Sequence, residues 1–556
     1  MVGLQQGGEL AGSLGQWPWL ITLPVWFVFM STTSYAGHSE PSDLAPLVQG
    51  SASSDSRSSL IQRLLCSVWL WPMVLTLALG LYKISKPELW RDELASWSAA
   101  SRSVPQLFRL LGHVDTSSGA YYLFLHFWIK IFGDSIVALR LPSVLAMAGA
   151  AGCVALLGRR MFSTSAGVLA GLAFAVMPAV SRYAQEARSY AFTILGVTVA
   201  TMLLLRALEK PQARRWTAYA VCVAATGAMS LVSLVLLPVH ALVVFLEWRS
   251  RRDQRALWGF PLACGVALLP LLPLALAASK QASEQISWVS APTVKDLRAI
   301  WPLLMDSYVV AYALAATLVA LIGAALVRRV DRRQAAIAGA LAVLPVLLVW
   351  LVSQGGQSYW LARYLLIVLP AWAIIVGATL AALGRTAGVC GLVALALLAL
   401  PDQAGVRTPG SHDRWDYPHV PATPWLDYSG TADIIQANYE PGDGLAPLPS
   451  IHFPLMWDLG LRYHLPPGEL GMRTVLKQQT PIKAAQLSET DTAHPAGGIG
   501  KEPRLWLETL TNPAGIYFYF PPDMAAALQA HYRLERTWHP ANGTTVALLV
   551  RTSPSQ

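Results

Sequence analysis

Apolar residues along the chain gather in long runs separated by short polar breaks. From residue 64 the runs cover 64–83, 136–157, 164–180, 190–206, 217–231, 232–248, 257–278, 308–327, 335–353, 362–384 and 386–400. Each approaches the roughly 20 residues a helix needs to cross a bilayer, so the stretch reads as about eleven transmembrane helices. Two further helical patterns, "VPQLFRLLGHV" and "GAYYLFLHFWIKIFG", lie between the first and second runs. The second is apolar and aromatic but short, which suits a helix lying in the membrane interface. After residue 400 the pattern changes. "GIYFYF" and "TTVALLVR" read as strands and "DMAAALQAHYRL" as a helix, so 402–556 is expected to form a small α/β domain.

Composition agrees with the pattern. The chain is 54% hydrophobic and only 13% charged, with 21 tryptophans, and its mean hydropathy is +0.44. A soluble domain carries about 25% charged residues. The net charge of +9 does not point to nucleic acid, because the arginines sit in clusters between apolar runs. Arg159–Arg160, Arg206 to Arg215, the group Arg249, Arg251, Arg252 and Arg255, and the group Arg328, Arg329, Arg332 and Arg333 fall on every second loop. The positive-inside rule puts those loops, with Arg57, Arg63 and Arg385, in the cytoplasm. Loop 84–135 and the C-terminal domain then face outward. All five cysteines lie in apolar runs, which offers neither a disulfide framework nor a CxxC metal site. Residues 1–63 read as a poorly ordered leader, with Trp17–Met30 as a weak apolar segment.

Ionisable residues close to a membrane need a partner or a wet cavity, so they are functional candidates. Four clusters stand on the outer side. "KPELWRDELASWS" carries Arg91, Asp92 and Glu93, and "GHVDTSSGAYY" carries His113, Asp115, Tyr121 and Tyr122. "SRYAQEARSYA" carries Arg182, Glu186, Arg188 and Tyr190, and "GGQSYWLARYLLIVLP" carries Arg363 and Tyr364. Taken singly, each has a plain structural reading: Asp92–Glu93 as a helix cap or partner of Arg91, Glu186 and Arg188 as a local pair, Arg363 as an interface anchor. Taken together, they place carboxylates and arginines from separate loops on one face. An enzyme joining a phosphate-bearing lipid donor to a hydroxyl acceptor needs that mixture. A carboxylate would take the acceptor's proton, and arginines would hold the departing phosphate.

The chain resembles the GT-C membrane glycosyltransferases, in particular the branch of protein O-mannosyltransferases, aminoarabinose transferases and their actinobacterial mannosyltransferase-like relatives. The resembling stretches are "LWRDE", "FGDSIVALRLPSVLA", "YAQEARSYA" and "ARYLLIVLP", followed by "DYSGTADIIQANYEPGD" at the start of the C-terminal domain. The resemblance covers about residues 64–445 and implies a polytopic α-helical membrane protein of GT-C type (64–401) with an extracytoplasmic C-terminal α/β domain (402–556). It implies inverting transfer from a polyprenyl-phosphate sugar, mannose first and arabinofuranose as the nearest rival. The acceptor would be a hydroxyl on a glycan, lipid or protein. Carried over by motif, Asp92 becomes the base with Glu93 beside it. Arg188 and Arg363 become donor-phosphate ligands, with Arg91, His113, Asp115, Tyr121, Glu186, Tyr190 and Tyr364 in supporting or acceptor-binding places. Many relatives have a Pro-Pro pair before the "YY" where this chain has "TSSGAYY", which leaves the geometry there open.

Other readings remain at this stage. A transporter or flippase for a lipid-linked sugar would use the same face without chemistry, but such proteins tend to show paired halves and broken mid-membrane helices, and no internal repeat is visible. A scaffold binding cell-wall polymer would leave Asp92 dispensable. No cofactor is implied with certainty. A divalent metal held by Asp92, Glu93, His113 and Asp115 is the remaining cofactor reading, without the ligand spacing of a known site.

Overall fold

The computed structural model describes residues 67–408, 426–449, 455–465, 471–491 and 498–552. The expected leader lies outside the described residues. Helices occupy all eleven apolar runs. In chain order the first part comprises α1 (Leu70–Leu81), α2 (Arg91–Ala100), α3 (Val104–Leu111), α4 (Gly119–Phe132), α5 (Ile136–Met161), α6 (Thr164–Val176), α7 (Pro178–Ala184) and α8 (Tyr190–Glu209). It continues with α9 (Ala213–Met229), α10 (Leu236–Arg251), α11 (Gln254–Leu268), α12 (Leu272–Gln285), α13 (Asp296–Met305), α14 (Tyr308–Leu326), α15 (Arg332–Val352), α16 (Leu369–Ala382) and α17 (Arg385–Gly405). Among the described residues seven helices are long and apolar enough to span a membrane, while α1 and the segment Leu366–Ala382 are shorter apolar helices. The protein is therefore a multi-pass helical membrane protein.

The third run does not continue straight to residue 180 as its hydropathy suggests. It breaks at Met177, and α7 leaves α6 at 65°. Pro178 is the cause: it lacks an N–H and pushes its predecessor out of the α region, so Met177 is extended at ψ 129°. The bend carries Arg182 and the following residues into the protein interior.

Helices pack closely where side chains are small, as expected where lipid supplies no hydrophobic drive between helices. A Cβ on Gly377 of α16 would lie 2.3 Å from the Ala166 carbonyl oxygen of α6, so no other residue fits that crossing. The carbonyls at the end of α1 are also satisfied from afar. Gln185 donates to the carbonyls of Gly80 and Tyr82 at 2.9 and 2.7 Å, and Arg407 donates to that of Leu79 at 2.7 Å.

The C-terminal part is an α/β unit, as its pattern suggests. Its sheet runs β2 (Arg473–Thr474), β1 (Gly444–Pro447), β5 (Arg504–Leu510), β7 (Thr544–Arg551), β6 (Tyr532–Ala541). β1 is parallel to β2 and β5, and β7 is antiparallel to β5 and β6. Around it pack α18 (Tyr428–Asn438), α19 (Trp457–His464), α20 (Pro481–Ala484) and α21 (Pro522–His531), with β3 (Lys477–Gln479) and β4 (Thr490–Asp491) as a separate ribbon. One expectation fails: "GIYFYF" forms turns rather than a strand. Gly515 sits at φ 109°, Phe518 and Phe520 bond back to Gly515 and Tyr517, and Pro521–Pro522 follow at once. A six-residue aromatic run so bounded has no room to join a ladder.

Candidate active site

The loop after α1 is where the two parts of the molecule meet. Asp92 and Glu93 fall in the first turn of α2, where the positive end of the helix dipole favours acids. Their side chains have different fates. Glu93 is fully buried and reaches back to accept from the Trp90 N–H at 3.3 Å, capping its own helix. It also accepts from the Ala187 N–H at 2.8 Å and from Arg140 of α5 through both carboxylate oxygens, at 2.8 and 2.6 Å. Arg140 spends its other N–H bonds on the carbonyls of Ile84, Pro87 and Glu88, at 2.8, 2.7 and 2.8 Å. This fork ties the α1–α2 loop, α5 and the α7–α8 loop into one rigid unit.

Asp92 is half-buried and its carboxylate makes no hydrogen bond or close ion pair among the described residues. Burial alone would raise its carboxyl, yet the guanidiniums of Arg363, Arg188, Arg91 and Arg182 outweigh that and hold it below its ordinary value. Asp92 therefore stands ionised.

The arginines come from separate elements. Arg188 follows α7. Its Nη1 is 3.1 Å from Tyr122 Oη, 3.4 Å from Ser96 Oγ and 3.5 Å from the Asp92 carbonyl. Arg363 sits in a 3₁₀ turn, Ala362–Tyr364, before α16. Its guanidinium lies 5.9 Å from the rings of both Trp90 and Trp288 and 6.0 Å from that of Tyr364. Arg182 is buried and pairs with Asp306 at 3.0 Å. The Trp90 indole donates to Glu186 at 3.1 Å. Tyr190 and Tyr364 are both within electrostatic range of Arg363, Arg188 and Asp92, and Tyr121 is within range of Arg188, Glu93 and Glu186.

Most of the residues singled out by sequence thus gather around Asp92. Asp115 joins through Tyr122, whose hydroxyl donates to its carboxylate. His113 does not join. It is exposed, and its Nδ1 lies 2.8 Å from the Arg109 carbonyl at the end of α3. The metal reading of Asp92, Glu93, His113 and Asp115 is corrected accordingly. Glu93 is saturated by four donors, Asp115 is bonded to Tyr122 and Ser118, and no metal-competent group of three acidic, His or Cys side chains occurs among the described residues.

Sequence reasoning passed over Arg140 and Asp306. Both gave a signal, since an arginine four residues into an apolar run and an aspartate just ahead of another must find partners. Glu88 was also missed. Its carboxylate accepts from the Tyr428 and Ser429 N–H groups at 3.0 and 2.9 Å, capping the start of α18 and docking the C-terminal domain beside Asp92. Trp97 stacks edge-on against Tyr463 at 5.1 Å, and Ser98 donates to the Leu487 carbonyl at 2.8 Å across the same junction. The C-terminal domain and the Asp92 loop therefore lie on one side of the membrane bundle.

Comparisons with known proteins agree with this architecture. Residues 119–276 match the family described as dolichyl-phosphate-mannose-protein mannosyltransferase. The fold is similar to that of ArnT from Cupriavidus metallidurans in the apo state, with a TM-score of 0.55 at 14% identity over 89% of this chain and 98% of that one. The same protein bound to undecaprenyl phosphate gives a TM-score of 0.55 at 13% identity, with the same coverage. No curated protein sequence matches the chain. The chain has the fold of the GT-C membrane glycosyltransferases. Within that class its similarities run to the protein mannosyltransferase family and to ArnT.

Proposed function

We propose that this protein is an inverting glycosyltransferase that moves a sugar from a polyprenyl-phosphate donor to a hydroxyl acceptor at the outer face of the membrane. Residues 64–401 form its catalytic membrane domain and 402–556 its extracytoplasmic domain. The observation that carries the reading is the Asp92 carboxylate, without a hydrogen bond or close ion pair among the described residues, set among the guanidiniums of Arg188, Arg363, Arg91 and Arg182. The acceptor oxygen attacks the anomeric carbon, and the bond from that carbon to the phosphate oxygen breaks. Polyprenyl phosphate leaves with the electron pair, and Asp92 takes the acceptor's proton. Arg188 and Arg363 hold the phosphate as its charge grows. Bound phosphate also offsets their field at Asp92, so donor binding raises the basicity of the carboxylate that must act next. Glu93 is a positioning residue in this scheme: its lone pairs are committed to Arg140, Ala187 and Trp90.

The family match favours mannose as the sugar, and the ArnT complex with undecaprenyl phosphate supports a polyprenyl carrier. Purified protein given radiolabelled polyprenyl-phosphate mannose, or the corresponding arabinofuranose lipid, should release polyprenyl phosphate and transfer label to a hydroxyl acceptor. Movement of intact lipid-linked sugar across proteoliposomes without cleavage would instead establish the transporter.

A further inference from the structure

The stretch that departs from the related pattern, "HVDTSSGAYY", contains a chain of hydrogen bonds that ends on Arg188. Asp115 adopts a left-handed backbone at φ 57°, directly before the turn Thr116–Ser118. One carboxylate oxygen accepts from Ser118 Oγ at 3.1 Å, and the other accepts from Tyr122 Oη. Tyr122 is fully buried at the start of α4. Its oxygen in turn accepts from Arg188 Nη1 at 3.1 Å. Burial, helped by the Asp115 charge, pushes the phenol well above its ordinary value. It therefore keeps the proton it donates to Asp115.

Every hydrogen bond Arg188 makes through its side chain to the described residues uses Nη1, to Tyr122, Ser96 and the Asp92 carbonyl. Nε and Nη2 have no hydrogen-bond partner among the described residues. A guanidinium gripped by one nitrogen presents its opposite edge, and that edge matches two oxygens of a phosphate. A half-buried arginine with four bonds of freedom would otherwise lose rotamer entropy on meeting its ligand.

We infer that Tyr122, held by Asp115, is a positioning residue that fixes Arg188 with its Nε–Nη2 edge turned to the donor phosphate. This rests on the proposed role of Arg188 as a phosphate ligand. Sequence reasoning singled out both Tyr121 and Tyr122 in this stretch, and the phenol bonded to Arg188 is that of Tyr122.

The test measures binding of undecaprenyl phosphate to purified protein in detergent, together with steady-state donor kinetics. Tyr122→Phe keeps the ring and removes the oxygen. It should weaken undecaprenyl phosphate binding about tenfold, the scale of one hydrogen bond to a charged group, raising KM for the donor and lowering kcat with it, because Arg188 also meets the charge that grows on the leaving phosphate. In an Arg188→Ala background Tyr122→Phe should add nothing, because both act through one contact. Asp115→Asn, which leaves the phenol an uncharged partner, should shift binding in the same direction by less. Where Tyr122→Phe fails to fold, Asp115→Asn decides by the same measurement. Normal binding by these variants while Arg188→Ala binds weakly would overturn the inference and leave the phosphate site standing. Normal binding by Arg188→Ala itself would remove that site from the proposed function. A fall in kcat alone, or an additive loss in the double variant, would also overturn the positioning role.

Discussion

Arg140 and Glu93, 47 positions apart, meet through a two-pronged ion pair in which both side chains are fully buried, Nε to Oε1 at 2.8 Å and Nη2 to Oε2 at 2.6 Å. Such a pair is weak support for stability in itself, because desolvating both charges is costly; breaking it leaves one of them stranded. Arg140→Ala should therefore destabilise the protein by about 3–5 kcal/mol, read as a loss of folded yield and of melting temperature in detergent. Arg140→Lys should recover only part of this, since one ammonium cannot bond both oxygens and three carbonyls. A single variant of either residue with parental stability would show that the two loops and α5 are held together by something else.

Orientation is tested independently of chemistry. The arginine clusters predict that Ser250, exposed at the end of α10, faces the cytoplasm, while Ser287, exposed beyond α12, faces out. In a background without the native cysteines, Ser287→Cys in intact cells should react with an impermeant thiol reagent, and Ser250→Cys only after permeabilisation. The reverse order would put the Asp92 loop in the cytoplasm and exclude an outer-face transfer.

How much of this was legible in the sequence differs by feature. The helices were readable because lipid demands long apolar runs. Their irregularities followed from Pro178, whose effect on Met177 hydropathy does not register. The acid pair announced a site, but spacing alone could not rank Asp92 and Glu93. What separates them is Arg140, and an α5 residue meets α2 only once the helices pack. "GIYFYF" misled because strand propensity measures packing against neighbours, and the flanking Gly515 and Pro521–Pro522 deny it any.

The C-terminal domain carries a proton-linked element of its own. Asp458 on α19 accepts from the Glu489 N–H at 2.8 Å, and burial, reinforced by the Glu489 charge, pushes its carboxyl up to about 7. The folded state thus binds a proton that the unfolded chain releases near pH ~4. Stability should fall as pH rises from about 4 to about 7 and then level off. Asp458→Asn removes the titration and should flatten that slope, with the clearest gain in melting temperature near pH 8. An unchanged slope in the variant would assign the pH dependence to another group.

Asp92 is the residue on which the proposed chemistry stands, and its setting makes two measurements decisive. Its carboxylate has no hydrogen bond among the described residues to lose, so Asp92→Asn should fold and bind undecaprenyl phosphate as the parent does. Without a base to take the acceptor's proton, turnover should drop by about 10²–10⁴-fold. The second measurement is the acidic limb of kcat/KM, which reports the base in the free enzyme. Four guanidiniums hold Asp92 below its ordinary value, so in the parent this limb should lie below pH ~4. Arg188→Gln removes one positive charge, stabilises the carboxylate less, and must therefore move the limb to higher pH. A limb that stays in place would show that the titrating base is not the group facing Arg188. Near-parental turnover by well-folded Asp92→Asn protein would take Asp92 out of the mechanism altogether, since Glu93 beside it is committed to Arg140 and offers no substitute base.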